Sequence, residues 1–389
     1  MQLQGNWNYP TAIRFGSGRI SELADACSNL GICQPLLVTD PGLAALPMIA
    51  NAMAANQSAG LNTSLFSDIK SNPNGANIEA GVKHYHHGRH DGIIAFGGGS
   101  ALDAGKAIAL MVGQSRRLWD FEDVGDNWTR VDNDGIAPVI AVPTTAGTGS
   151  EVGRAAVITD EASHRKVIIF HPKMLPGIVI ADPQLSVALP PNITAATGMD
   201  ALSHNLEAYC VPGYHPLADG IALEGMRLIK QWLTVAYREP ENLTARSHML
   251  AASSMGATAF QKGLGAMHAL AHPLGALYDV HHGLLNAILM PYVVACNRTA
   301  IESKMRCLAH LLELEPAPTG VDAVLAFIVE LRQQLGIPHA LAFIGIDADR
   351  IPAIAEMAVH DPAAGGNPLL LSIDNYADLL ANAMNGVLR

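Results

Sequence analysis

The chain has 389 residues, enough for two domains of ordinary size. Apolar residues make up 49% and charged residues 15%, a balance too apolar for a disordered protein and sufficient for a sizeable core. With 24 basic against 35 acidic residues the formal charge is −11, which speaks against a nucleic-acid partner, because phosphate backbones need clustered Lys and Arg.

No run approaches the ~20 apolar residues of a membrane helix. The run 287–296 is too short and contains Pro291. The start, MQLQGNWNYP, has neither the basic nor the apolar region of a secretory signal. Cys27, Cys33, Cys210, Cys296 and Cys307 are scattered, odd in number and without a C-x-x-C, so they read as reduced thiols. The expectation is a cytoplasmic protein without a membrane partner.

In chain order, near-continuous apolar runs at 35–39 (PLLVT), 92–96 (GIIAF), 138–142 (PVIAV) and 178–180 (IVI) predict strands covered on both faces. Helical patterns at 78–87 and 101–112 lie between them. Strand–helix–strand alternation predicts an α/β domain, a doubly wound and mostly parallel sheet, over residues 1–189. Beyond Leu189-Pro190-Pro191, Ala/Leu-rich segments at 195–210, 218–238, 245–261 and 321–335 repeat their apolar positions every three or four residues. They predict an all-helical domain over 190–389.

Four motifs could carry chemistry. Gly97-Gly98-Gly99-Ser100 follows the strand ending at Phe96; Ser100 is placed to cap the next helix, with Asp103 three residues on in a capping-box-like position. Free N–H groups and the helix dipole favour a phosphate there, although a plain sharp turn has the same look. Asp40 closes the first strand, where a carboxylate can accept from a ribose diol, or simply form a turn before Pro41-Gly42. PTTAGTGSEV (143–152) offers four hydroxyls and two glycines within seven residues, as a ligand loop or as a Ser/Thr-rich loop.

The fourth motif weighs most. Asp200 and His204 stand four apart in a predicted helix, on one face, roughly 6 Å apart at Cβ. His268, His272, His281 and His282 cluster downstream, the first two also four apart. Carboxylate and imidazole ligands suit a divalent metal such as Fe(II) or Zn(II) with one open position, and spacing leaves open which of the four histidines bind. The His-rich stretch 83–90 sits at the polar end of a helix and reads as a solvated helix end.

In this order, GGGSALDAGK (97–106), PTTAGTGSEV, GMDALSHNLEAY (198–209) and HALAHPLGALYDVHHG (268–283) resemble the iron-dependent (group III) alcohol dehydrogenase family, and the match spans essentially the whole chain. The resemblance implies that family's dehydroquinate synthase-like fold. It implies metal ligation by Asp200, His204, His268 and His282, the last because the family's ligand immediately precedes a glycine, here Gly283. His272 then matches a non-ligating histidine near nicotinamide and substrate. Asp40, Gly97, Gly98, Gly99, Ser100, Asp103, Thr144, Thr145, Thr148 and Lys166 match positions lining the dinucleotide, with Asp40 favouring NAD over NADP. Gly153 departs from the family pattern, which has Thr there.

The implied activity is metal-dependent and NAD-linked: an alcohol made acidic by the metal passes hydride to nicotinamide, and an aldehyde is reduced in reverse. His272 is the candidate catalytic proton relay. The implied partners are a small alcohol or aldehyde and, by analogy, a second copy of the chain paired through a β segment at 8–15. A hydroxyacid–oxoacid transhydrogenase of the same family would differ in not needing added NAD. Relatives of dehydroquinate synthase or glycerol-1-phosphate dehydrogenase share the fold but fit the motifs less well. A metal-dependent hydrolase would not bind nicotinamide, and a nucleotide-sensing module would tolerate loss of Asp200.

Overall fold

The structure, a computed structural model, describes residues 5–7, 11–163 and 165–388. The chain forms two compact units. One comprises the described residues up to Thr145 together with Gly149–Ala188; the other comprises Ala146–Thr148 together with the chain from Leu189 onward.

Among the described residues the first unit has nine strands: β1 (Gly5–Trp7), β2 (Ala12–Phe15), β3 (Pro35–Val38), β4 (Ser64–Phe66), β5 (Gly92–Gly97), β6 (Val139–Pro143), β7 (Ala155–Asp160), β8 (Arg165–Phe170) and β9 (Ile178–Ala181). Seven of them form one sheet in the order β1-β2-β9-β6-β5-β3-β4. All its pairings are parallel except β1 with β2 at the edge. The central strands are buried at every residue, which is why their sequences are continuously apolar rather than alternating. Helices α1 (Leu23–Asn29), α2 (Pro41–Ala44), α3 (Pro47–Ser58), α4 (Gly75–Gly88) and α5 (Gly99–Met111) connect them. Leu23, Cys27, Ile49 and Ala52 pack with Leu37, Ile94, Phe96, Ile140 and Ile180 in the core.

The short strands β1 and β4 and the separate antiparallel hairpin β7–β8 were not among the predicted elements, whereas β2 falls within the β segment expected at 8–15. Of the segment 8–15 expected to pair two copies, Asn8, Tyr9 and Pro10 lie outside the described residues.

The second unit is helical: α6 (Pro191–Cys210), α7 (Pro216–Arg238), α8 (Leu243–Ala259), α9 (Ala266–Tyr278), α10 (His282–Cys296), α11 (Arg298–Leu311), α12 (Gly320–Gln334), α13 (Ile351–Val359) and α14 (Ile373–Asn385). Helix α6 is buried almost all round, packed by α7, α8 and α10. Among the described residues no single helix is long and apolar enough to cross a membrane.

Candidate metal centre

Helix α6 presents Asp200, His204 and Glu207 on one face, at intervals of four and three residues. His268 and His272 repeat that spacing on α9, and His282 opens α10. The start of α10 lies hard against α6: a Cβ on Gly283 would stand 2.4 Å from the Ala196 carbonyl oxygen. Only glycine permits that approach, and it brings His282 beside Asp200, with 3.8 Å between Nε2 and Oδ1. The result is a convergence of Asp200, His204, His268 and His282, whose ligand atoms all lie within 4.8 Å of one another. Asp200, His204 and His268 are buried and His282 is partly so.

The surroundings prepare these side chains as ligands. The Gly147 carbonyl accepts a hydrogen bond from His204 Nδ1 at 3.2 Å, which leaves the lone pair on Nε2. Burial pushes the His204 pKa down to about 4, so the imidazole is neutral at pH 7. His268 is pushed down by its complete burial, but the hydrogen bond and charge of Glu207, together with the charges of Asp200 and Asp361, raise it overall. Its Nδ1 donates to Glu207 Oε2 at 2.6 Å, again freeing Nε2. Glu207 accepts in addition from Gly265 N at 2.9 Å and Met267 N at 2.7 Å, filling the bare N-terminus of α9 with a carboxylate. Asn367 Oδ1 accepts from Ala266 N of the same turn. One carboxylate and three imidazoles, with two tautomers fixed by outer partners, fit a divalent cation such as Fe(II) or Zn(II).

His272 lies beside this set rather than within it. Its ring is stacked on His282, with centroids 5.5 Å apart and planes at 14°. Its Nδ1 donates to Asp361 Oδ2 at 2.8 Å, so Nε2 bears the lone pair. Asp361 is itself held by the Ala363 N–H. His281 is the residue preceding α10, outside the converging set.

Several of the residues matched to a dinucleotide gather at the C-terminal ends of β3, β5 and β6. Gly97 ends β5 with φ 151°, and a Cβ there would lie 2.7 Å from Ala101 Cβ. Thr144 N donates to the Gly97 carbonyl at 3.0 Å, and Thr145 stands against Gly98. Asp40 is the N-cap of α2 and accepts from Leu43 N at 3.0 Å, the turn-forming role that its Pro41-Gly42 context suggested. It also lies close to Gly97.

Three expectations are corrected. The cap of α5 is Gly98, not Ser100, and no side chain caps it; Ser100 Oγ donates to the Ser71 carbonyl instead. Asp103 forms no capping box, because Ser150 Oγ and Val157 N donate to it and Lys106 pairs with it. It braces the loop after β6 from behind. Lys166 sits on β8 of the separate hairpin, opposite Thr159, and Thr148 clusters with the helical unit. The stretch 83–90 is exposed at His84, His86 and His87 but not at His90, which is buried and hydrogen-bonded to the Gln34 carbonyl. Gly153 has room for a Cβ, with Lys106 Nζ 3.6 Å from its position.

Glu207, Asp361 and Asn286 were not singled out in the sequence. Glu207 continues the Asp200–His204 face by three residues, a signal that was present. Asp361 is 89 residues from His272 and has no local signal.

The family model for iron-containing alcohol dehydrogenase matches residues 10–183, and the C-terminal model of the Fe-containing alcohol dehydrogenase family matches 194–384. The chain is 37% identical to the 4-hydroxybutyrate dehydrogenase of Cupriavidus necator over 97% of this chain and 99% of that one. It is 36% identical to the 1,3-propanediol dehydrogenase of Klebsiella pneumoniae over 92% and 93%. A crystal structure of 1,3-propanediol oxidoreductase superposes with a TM-score of 0.92 at 33% identity, covering 99% of this chain and all of that one. Sulfoacetaldehyde reductase from Bifidobacterium kashiwanohense, solved in complex with NAD+, superposes at 0.86 with 27% identity over 98% of each chain. Converging metal donors on the helices, a parallel sheet ending in a glycine turn, and matches along the full length lead to one conclusion: this chain belongs to the iron-containing alcohol dehydrogenase family.

Proposed function

We propose that the chain is an NAD-linked, iron-dependent alcohol dehydrogenase that also runs as an aldehyde reductase, an oxidoreductase acting on CH–OH groups. The observation that carries this reading is the convergence of Asp200, His204, His268 and His282. Those four residues would hold the cation, with zinc as the alternative metal. A divalent cation there supplies Lewis acidity, which lowers the pKa of an alcohol and polarises an aldehyde carbonyl.

The chain's own residues do the rest. Glu207 and the Gly147 carbonyl orient two imidazoles, and burial keeps His204 unprotonated. His272, with its Nδ1–H committed to Asp361, keeps an acceptor nitrogen for the alcohol proton. The Gly97–Gly99 turn offers backbone N–H groups to a pyrophosphate at the start of α5. Asp40, close to that turn, suits a ribose diol and disfavours a 2′-phosphate, which supports NAD over NADP. The names of the relatives, which act on short alcohols and aldehydes, support a small substrate of that class. Five cysteines without a disulfide support a reducing, cytoplasmic setting, and edge strand β1 supports a homodimer.

The test is to load the protein with Fe(II) anaerobically, and with Zn(II) in parallel, and to follow nicotinamide absorbance across a panel of short alcohols and aldehydes. Metal-dependent turnover that requires added NAD is expected. Failure to take up metal, or turnover between a hydroxyacid and an oxoacid without added NAD, overturns the reading.

A further inference from the structure

Asn286 lies four residues after His282 on α10 and is completely buried. Its Nδ2 stands 2.9 Å from Asp200 Oδ1, 3.2 Å from His268 Nε2 and 3.1 Å from His282 Nε2. A single amide nitrogen thus reaches three of the four converging side chains. The Oδ1 of the same amide is buried and has no hydrogen-bond partner among the described residues. An orphaned carbonyl in a dry interior is costly, so the orientation of this amide is dictated by what its nitrogen meets.

What it meets is a cluster of acceptors. With Nδ1 donating to Glu207, the neutral form of His268 turns its Nε2 lone pair to the amide nitrogen that the Asp200 carboxylate also meets. Such a cluster is repulsive unless a positive centre or an N–H donor fills it. We propose that Asn286 is a placeholder: a positioning residue whose two amide N–H groups are shared among Asp200, His268 and His282 in the metal-free protein and compete with the cation for the imidazole lone pairs. The proposal rests on the metal reading given above. A cation held on the two Nε2 atoms consumes their single lone pairs, so the hydrogen bonds to His268 and His282 belong to the metal-free state, whereas the one to Asp200 can persist on the oxygen's other lone pair. An interaction made only in one state stabilises that state and weakens the binding that abolishes it, by the same factor. Asn286 therefore keeps the donors converged when the metal is away and holds the affinity below what the donor set alone would reach.

The experiment measures the Kd for Zn(II), and for Fe(II) anaerobically, by competition with a chromophoric chelator, alongside thermal melts with and without metal. Asn286→Ala is expected to lower the metal-free Tm and to tighten metal binding about tenfold, the worth of one charge-assisted hydrogen bond. Asn286→Ser guards against failure to fold: its hydroxyl turns back onto its own helix rather than reaching the donors, and it should tighten binding in the same sense. Unchanged or weaker binding in folded variants overturns the proposal and makes Asn286 a brace of the loaded centre. If the wild-type chain binds no metal, the metal reading falls first; if it binds and the variants bind no tighter, only the placeholder falls.

Discussion

Glu207 makes the sharpest test of how the centre is built. Its two oxygens accept from three donors: Gly265 N, Met267 N and His268 Nδ1. Glu207→Gln leaves one acceptor oxygen. In its better orientation that oxygen faces His268 and Gly265, and the new NH2 meets the Met267 N–H. One hydrogen bond is lost, worth ~1.4 kcal/mol of stability, and with the carboxylate charge behind the His268 ring also gone, metal affinity should fall about tenfold, the lower range for an altered outer partner of a ligating histidine. Glu207→Ala also frees the His268 ring to turn or change tautomer, and the fall should reach about a hundredfold, the upper range for losing an outer partner of a ligating histidine. Chelator competition measures both, with circular dichroism to confirm the helical content. If Glu207→Ala binds metal within about threefold of wild type, the carboxylate does not prepare His268 and the argument from tautomer to affinity fails.

The remaining predictions touch other parts of the molecule. His272→Ala and Asp361→Asn should each lower turnover by about a hundredfold with metal content intact, because each removes the acceptor nitrogen or fixes the wrong tautomer. Loss of metal from His272→Ala would instead make His272 a ligand. Gly97→Ala places a Cβ at φ 151° and 2.7 Å from Ala101 Cβ, so it should cost ~1–3 kcal/mol of stability and raise the KM for NAD; an unchanged melt and KM refute this. Burial lowers the pKa of His90 below its ordinary 6.5, so protonation favours the unfolded chain. The stability its neutral form contributes is full above pH 6.5 and drains as the pH falls toward the lowered folded value. His90→Gln should flatten the acid limb of Tm against pH, and an identical slope would remove His90 from the account.

How much of this was legible in the sequence depends on distance along the chain. The four central strands were readable because burial on both faces makes a strand apolar throughout, and β3, β5, β6 and β9 are buried at every residue. Helices α6, α7, α8 and α12 were readable from periodicity to within a few residues, although α8 ends at Ala259 and a short 3-10 turn, Phe260–Lys262, completes the expected segment; α9, α10, α11, α13 and α14 were not among the predicted segments. Asp200 and His204 announced themselves because a helix turns a four-residue interval into a shared face. The interval says nothing of what completes the face. That His268 needs Glu207, or His272 needs Asp361, depends on packing across 61 and 89 residues. Ser100 was misread because local capping chemistry was weighed alone, whereas Asp103, its supposed partner, is already engaged by Ser150, Val157 and Lys106.

The tripeptide Ala146–Thr148 clusters with the helices although the residues on either side of it belong to the sheet unit. The Gly147 carbonyl within it is the hydrogen-bond acceptor for His204. A fragment cut at the proline-rich junction and expressed from Leu189 onward would therefore be born without the group that settles which nitrogen of His204 is bare. Dissecting this protein into separately produced halves sacrifices part of the donor set's preparation, and supplying the missing strip as a short synthetic peptide is the natural complementation.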